Sequence, residues 1–255
     1  MIKFLKNILY PLRFVLTKLI LKNEINDNSP INLAAQYIIS EGITGDYYEF
    51  GCFKGASFIK AYKLINFYKN EWSNYGRTLQ AYSDKNLAKQ AFEKLKIYDV
   101  KFYVFDSFKG LPNIKNIDQN HPIFSKGRYD CSREDFEKNL IRNKISLNKI
   151  NIVEGFYEET LNENNKINYN MNKASIIMID CDLYHSAKLV LDFITDIVQN
   201  GTVLIFDDWY AYRGNPNKGE QLATKEWLNK NKNISLIPFS RFGVYQQSFI
   251  VNINE

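Results

Sequence analysis

With 255 residues, 45% hydrophobic and 24% charged side chains, the chain can bury one substantial core, and its composition excludes disordered and fibrous classes. Its formal charge of +5 is spread among acids instead of massed in a basic block, so no nucleic-acid partner is implied. Three cysteines, Cys52, Cys131 and Cys181, stand far apart without C-x-x-C or Cys/His spacing, which predicts a cytoplasmic protein and argues against a zinc site.

The first segment, MIKFLKNILYPLRFVLTKLILKN, places apolar residues at helical spacing. Lys3, Lys6, Arg13, Lys18 and Lys22 interrupt it too often for a membrane span, no small-residue cleavage site follows, and Pro11 marks a break. It predicts a helical arm over residues 1–28 that packs on the domain or on a second subunit, making the chain a homo-oligomer. Weak peripheral contact with an anionic membrane is the alternative. Ser29 and Pro30 then open the helix INLAAQYIIS, which Gly42 ends, and the main domain, residues 29–255, begins there.

From this point apolar, β-prone runs alternate with helical stretches. DYYEFGC precedes a helix from Ala56 to about Tyr68, and KFYVFD precedes a loop and a helix. INIVEG follows; SIIMIDCD precedes a helix from about Ser186, and GTVLIFDD precedes a helix containing TKEWL. Such alternation predicts a parallel sheet covered on both faces. SLIPF and GVYQQSFIVNI, parted by an Arg-Phe-Gly turn, predict an antiparallel pair closing the sheet. The stretch from Asn70 to Val100 reads as an insertion with one amphipathic helix, KNLAKQAFEKLK.

In doubly wound sheets ligands sit beyond the carboxyl ends of the strands, so the residues ending each strand carry the functional information. EFGCFKGAS, Glu49 to Ser57, places Gly51 and Gly55 where a backbone turns tightly and a ligand can approach. It is not G-x-G-x-x-G, which argues against a dinucleotide. YVFDSFKGLP ends a strand at Asp106, followed by Ser107, and a carboxylate there is placed to accept ribose hydroxyls. VEGFYEETL puts Glu154, Gly155 and Phe156 after a third strand, where an aromatic ring can cover an adenine face. Finally, MIDCDLYHS carries Asp180 and Asp182, and LIFDDWY carries Asp207 and Asp208. Four carboxylates at two strand ends repel one another unless a cation or a proton intervenes, and oxygen-only ligands favour Mg²⁺ or another hard divalent cation.

Together, E-x-G-x-x-K-G-x-S, D-S-F-K-G-L-P, G-F-Y-E-E-T-L, I-D-C-D-L-Y-H-S and F-D-D-W resemble the macrocin O-methyltransferase family, in order from about Thr44 to Trp209. The resemblance implies a class I methyltransferase fold of Rossmann-like α/β type, with S-adenosylmethionine and a divalent cation, acting on a sugar hydroxyl. It implies that Glu49, Gly51, Gly55 and Ser57 line the methionine end of the cofactor and that Asp106 and Ser107 hold its ribose. It also implies that Asp180, Asp207 and Asp208 hold the metal and that Asp182 is the base. Cys52, Ala56 and Cys181 depart from the Val or Gly usual in that pattern.

The acceptor expected by analogy is a nucleotide-linked sugar for a capsule or lipopolysaccharide. The loops from Asn113 to Tyr129 and from Tyr210 to Gly219 are expected to cover the site and set its specificity. D-C-D is also the D-x-D pattern of metal-dependent glycosyltransferases, an alternative that leaves Glu49, Asp106, Asp207 and Asp208 without roles.

Overall fold

The computed structural model describes residues 21–70, 98–114, 116–119 and 121–254, together with residues 19, 86 and 90. Most of the N-terminal arm and most of the insertion before Val100 lie outside the described residues.

Seven strands form one sheet: β1 (Asp46–Phe50), β2 (Phe102–Asp106), β3 (Ile150–Glu154), β4 (Ala174–Ile179), β5 (Val203–Phe206), β6 (Ile234–Phe242) and β7 (Gln246–Ile253). Every apolar run singled out above is one of these strands. Their order in space is β3-β2-β1-β4-β5-β7-β6. The first five neighbours pair in parallel, and β7 pairs antiparallel with both β5 and β6. The chain therefore runs outward from β1 in one direction and returns to start again at β4, which opens a crevice at the switch point between them.

Period-2 alternation sorts the strand residues between two faces. Tyr47, Val104, Met178 and Ile205 pack in one apolar cluster with α1 (Pro30–Ser40), α2 (Ala56–Asn70) and α3 (Arg133–Arg142). Tyr48, Phe105, Ile177 and Phe206 pack in the other with α4 (Tyr184–Ile194) and α5 (Gly219–Lys230). Because Tyr48 is level with Tyr103 and Phe50 with Phe105 in the register, their rings stack at 4.6 and 4.7 Å, a cross-strand contact that locks β1 to β2.

α1 starts as the sequence predicts: the Ser29 side chain accepts the Asn32 N–H at 3.4 Å and Pro30 takes the first helical position. Gly42, at φ +66, lets the chain fold back so that the Ile43 N–H reaches the Ile38 carbonyl at 2.8 Å. Before α1, a short helix, Lys22–Asn26, sets Leu21 and Ile25 into the first cluster, so the end of the arm belongs to the domain core. Among the described residues no helix is long and apolar enough to cross a membrane.

Candidate active site

The parallel register brings the strand ends level. Phe50 is level with Phe105 and Ile179, and Ile179 with Phe206. The next residues therefore stand in a row: the Gly51 N–H donates to the Phe105 carbonyl (2.9 Å), Asp180 to Phe50 (2.9 Å) and Asp207 to Ile179 (3.0 Å). Over this row opens a cavity of about 410 Å³, lined on one side by Gly51, Asp106, Ser107, Gly155 and Phe156 and on the other by Asp180, Asp182, Asp207 and Asp208. That size suits a small-molecule site.

Gly51 is required by the row itself. Its φ is +82, and a Cβ built there lies 1.8 Å from the Asp180 carbonyl oxygen. The turn after it points its amides at β2: Asp106 accepts the N–H of Cys52 at 2.8 Å, of Phe53 at 3.2 Å and of Phe108 at 2.8 Å. A carboxylate offers about four acceptor sites, so one remains to face the cavity. Ser107 donates to the Gly110 carbonyl at 2.9 Å and accepts from the Lys109 amide.

Four residues expected at the cofactor do not line the cavity. Glu49 shares the buried face of β1 with Tyr47, two residues away, and lies beneath the row; it accepts Ser57 Oγ at 2.6 Å and the Tyr47 hydroxyl. Burial pushes its carboxyl up to about 7. Ser57 is thus engaged inward. Gly55, at φ +82, is held by packing, because a Cβ there lies 2.8 Å from the Phe136 ring. Glu154 faces Arg133 on the outer surface at 3.2 Å.

The carboxylates of Asp180, Asp207 and Asp208 offer oxygens that all lie within 4.8 Å of one another. Asp180 and Asp207 belong to the row, and Asp208 turns back toward α5, where its N–H donates to Glu220 Oε2 at 3.1 Å. Among the described residues none of these acids enters an ion pair. Burial first, then mutual repulsion, raises Asp180 and Glu220 well above the usual carboxylate range and Asp208 to about 9. Glu220 Oε1 is buried with no hydrogen-bond partner. Carboxylates gathered this closely, two half-buried and one buried, with no cationic side chain paired to them and a buried, unpartnered Glu220 oxygen behind, fit a divalent metal held by Asp180, Asp207 and Asp208.

Asp182 reaches the cavity by a different route from the one its spacing suggests. Strand alternation does not extend to it: β4 ends at Ile179, and Asp182 sits in the left-handed region at φ +61. This turn brings its side chain close enough to that of Asp208 for each carboxyl to shift the other. Burial first raises its carboxyl to about 6, while the neighbouring Asp208 carboxyl and the charge of Arg128 hold it down.

Sequence reasoning missed a second tier of residues. Asp118 is buried in the loop over the cavity and accepts the Tyr184 N–H (2.8 Å), the His185 N–H (3.2 Å) and the Tyr212 hydroxyl (3.2 Å). Tyr212 and Leu183 join Leu111 and Phe124 in a small apolar cluster of their own, on which His121 stacks. Gln246, at the start of β7, donates to Asp207. Tyr129, from the same loop as Asp118, and Tyr245, from the turn between β6 and β7, line the cavity. The expectation that residues 113–129 and 210–219 lie over the site was the only signal pointing to any of them.

A model of the macrocin O-methyltransferase (TylF) family matches residues 86–237, more than half of the chain, starting after the EFGCFKGAS turn. No curated protein matches the chain. Among solved structures, the O-methyltransferase NovP is 17% identical with a TM-score of 0.59, covering 88% of this chain and 78% of its own. CalS11, a calicheamicin methyltransferase, is 16% identical with a TM-score of 0.59 over 92% of this chain and 90% of its own. An O-methyltransferase from Bacillus cereus in complex with SAH is 12% identical with a TM-score of 0.51, over 93% and 90%. At such identities the likeness establishes the class I methyltransferase fold.

Proposed function

The chain belongs to the macrocin O-methyltransferase family and is an S-adenosylmethionine-dependent O-methyltransferase, and on that premise we propose that it methylates a sugar hydroxyl with the help of a divalent cation. Membership removes the glycosyltransferase alternative. The observation that carries the proposal is a single cavity in which Gly51, Asp106 and Phe156 face the carboxylates of Asp180, Asp182, Asp207 and Asp208.

The cofactor supplies an electrophilic methyl group. Gly51, bare of side chain, lets it approach the end of β1, the open acceptor position of Asp106 suits a ribose hydroxyl, and Phe156 offers an apolar face to its base. A divalent cation held by Asp180, Asp207 and Asp208 would supply Lewis acidity toward a sugar hydroxyl that is barely ionised at neutral pH. Asp182, whose side chain lines the same cavity beside these carboxylates, is the group we assign to take the proton. Leu111 and Ile123 add apolar surface to the cavity lining, beside which polar contacts are stronger than in water. The acceptor class we propose is a nucleotide-activated sugar used for a surface polysaccharide, supported by the family resemblance.

The test is a screen of activated sugars with S-adenosylmethionine and mass detection of an added methyl group. Methylation that stops in excess EDTA and returns with Mg²⁺ is the expected result. Full turnover by metal-stripped enzyme overturns the metal assignment, and methyl gain confined to non-sugar acceptors overturns the substrate class.

A further inference from the structure

Acids line the cavity, whereas two arginines stand near its lining residues, Arg128 next to Tyr129 and Arg241 over Tyr210. Arg128 is set there by backbone geometry: the Leu111 N–H donates to its carbonyl at 3.0 Å, and the Gly127 N–H donates to the Leu111 carbonyl at 2.9 Å. Gly110 passes so close that a Cβ there lies 2.6 Å from the Arg128 carbonyl oxygen. The strip Arg128-Tyr129 is thereby fixed along the wall that Gly110 and Leu111 give the cavity. The guanidinium lies 5.2 Å over the ring of Tyr129 and its charge reaches Asp182.

A second arginine, Arg241, stands near the end of β6, level with Gln247 of β7. Arg241 lies 4.2 Å over the ring of Tyr210, whose N–H donates to the carbonyl of the cavity-lining Tyr245 at 3.1 Å. Among the described residues neither arginine forms an ion pair. A guanidinium already held on an aromatic face has less freedom to lose on binding, and its planar fork matches phosphate oxygens. The arginines attract an anion and the lining acids do not, so an acceptor with a neutral, hydroxyl-bearing end and an anionic end is favoured in one orientation.

Building on the sugar O-methyltransferase function above, we propose that the acceptor carries a phosphate, as a nucleotide-linked sugar does, and that Arg128, assisted by Arg241, binds that phosphate. This makes both arginines specificity-determining residues, and it ranks phosphorylated acceptors above neutral glycosides.

The experiment is calorimetry on the full chain saturated with S-adenosylhomocysteine, titrated with uridine, thymidine and guanosine diphosphates, inorganic pyrophosphate and glucuronate, with Mg²⁺ and with EDTA. At least one diphosphate is expected to bind, to keep binding in EDTA, and to lose at least about tenfold in affinity in Arg128→Ala, the scale of a lost charge-assisted hydrogen bond. Arg128→Lys should recover part of the loss, because it restores the charge without the fork. Arg241→Ala should weaken the same ligand less. S-adenosylhomocysteine affinity, measured separately on each variant, should not move. The proposal is overturned if no diphosphate binds, if binding is indifferent to Arg128→Ala or vanishes with EDTA, or if glucuronate alone binds. An absence of methyl gain on every sugar in the screen above would instead overturn the sugar reading, so the two failures are distinguishable.

Discussion

Asp180 and Asp182 are separated by one residue and by the end of a strand, and the separation divides their work. Asp180 continues the register of β4 and stays in the row, whereas Asp182 turns left-handed and meets Asp208 from the side. Asp182→Asn keeps the shape and removes the basic lone pairs, so turnover should fall by about 10²-fold or more while S-adenosylhomocysteine binding stays unchanged. Near wild-type turnover at saturating metal and substrate would show that Asp182 is not the proton acceptor. Asp180→Asn or Asp207→Asn should instead raise the Mg²⁺ concentration for half-maximal activity, read from a metal titration. Gly51→Ala is a change of one carbon, yet it drives that carbon into the Asp180 carbonyl and forces a positive φ on a residue with a side chain. The row must shift or open. Calorimetry on the purified variant should find cofactor binding lost, and a thermal scan should find a lowered melting temperature.

At the level of the element, α4 shows how a helix can begin without a local cap. Its N-cap position is Leu183, which has no side chain able to accept a hydrogen bond, and the free amides of Tyr184 and His185 are taken instead by Asp118 from the loop after β2. The same carboxylate accepts the Tyr212 hydroxyl, so one side chain joins the loop after β2 and the loop before α5 to the helix that follows the acidic turn. Asp118→Ala should cost about 1–2 kcal/mol, the scale of a lost cap, and lower the melting temperature by about 2–4 °C per kcal/mol in a chain of this size. Because the loop after β2, which gives Ile123 and Tyr129 to the cavity, leans on this contact, KM for the acceptor should rise more than KM for S-adenosylmethionine. Equal changes in the two would show that Asp118 only stabilises the fold.

At the level of the whole molecule, the fold gathers acids that it then holds apart from solvent. Glu49, Asp182 and Asp208 have carboxyls raised by burial to about 7, 6 and 9, whereas unfolded carboxylates titrate near 4. The folded chain thus binds these protons more tightly than the unfolded chain does. Their contribution to stability is full below about pH 4 and is lost as pH rises through those values. The melting temperature of the metal-free protein should therefore fall between about pH 5.5 and about pH 8.5, and Mg²⁺ should raise it more at the higher pH, where the acids are ionised. A melting temperature that rises with pH in EDTA would contradict this account of the acids, and an Mg²⁺ effect independent of pH would separate metal binding from them.

What the amino-acid sequence determined by itself was the set of strands, their mostly parallel arrangement, and the acids that end them. Apolar runs of period 2 and the Gly, Asp and Asn residues that interrupt them are local signals, and a parallel sheet turns strand ends into neighbours without further information. That is why Asp106, Asp180, Asp207 and Asp208 were legible as residues of one candidate site. Tertiary structure alone decided that Glu49 lies under the row instead of beside the cavity, that Asp182 arrives through a turn, and that Glu220 and Gln246 touch the neighbouring acids. It also decided that Asp118 caps α4 from 66 residues away. The physical reason is the same in each case: a hydrogen bond between distant segments leaves no period or spacing in either one, and it exists only once the sheet and its loops have closed around it.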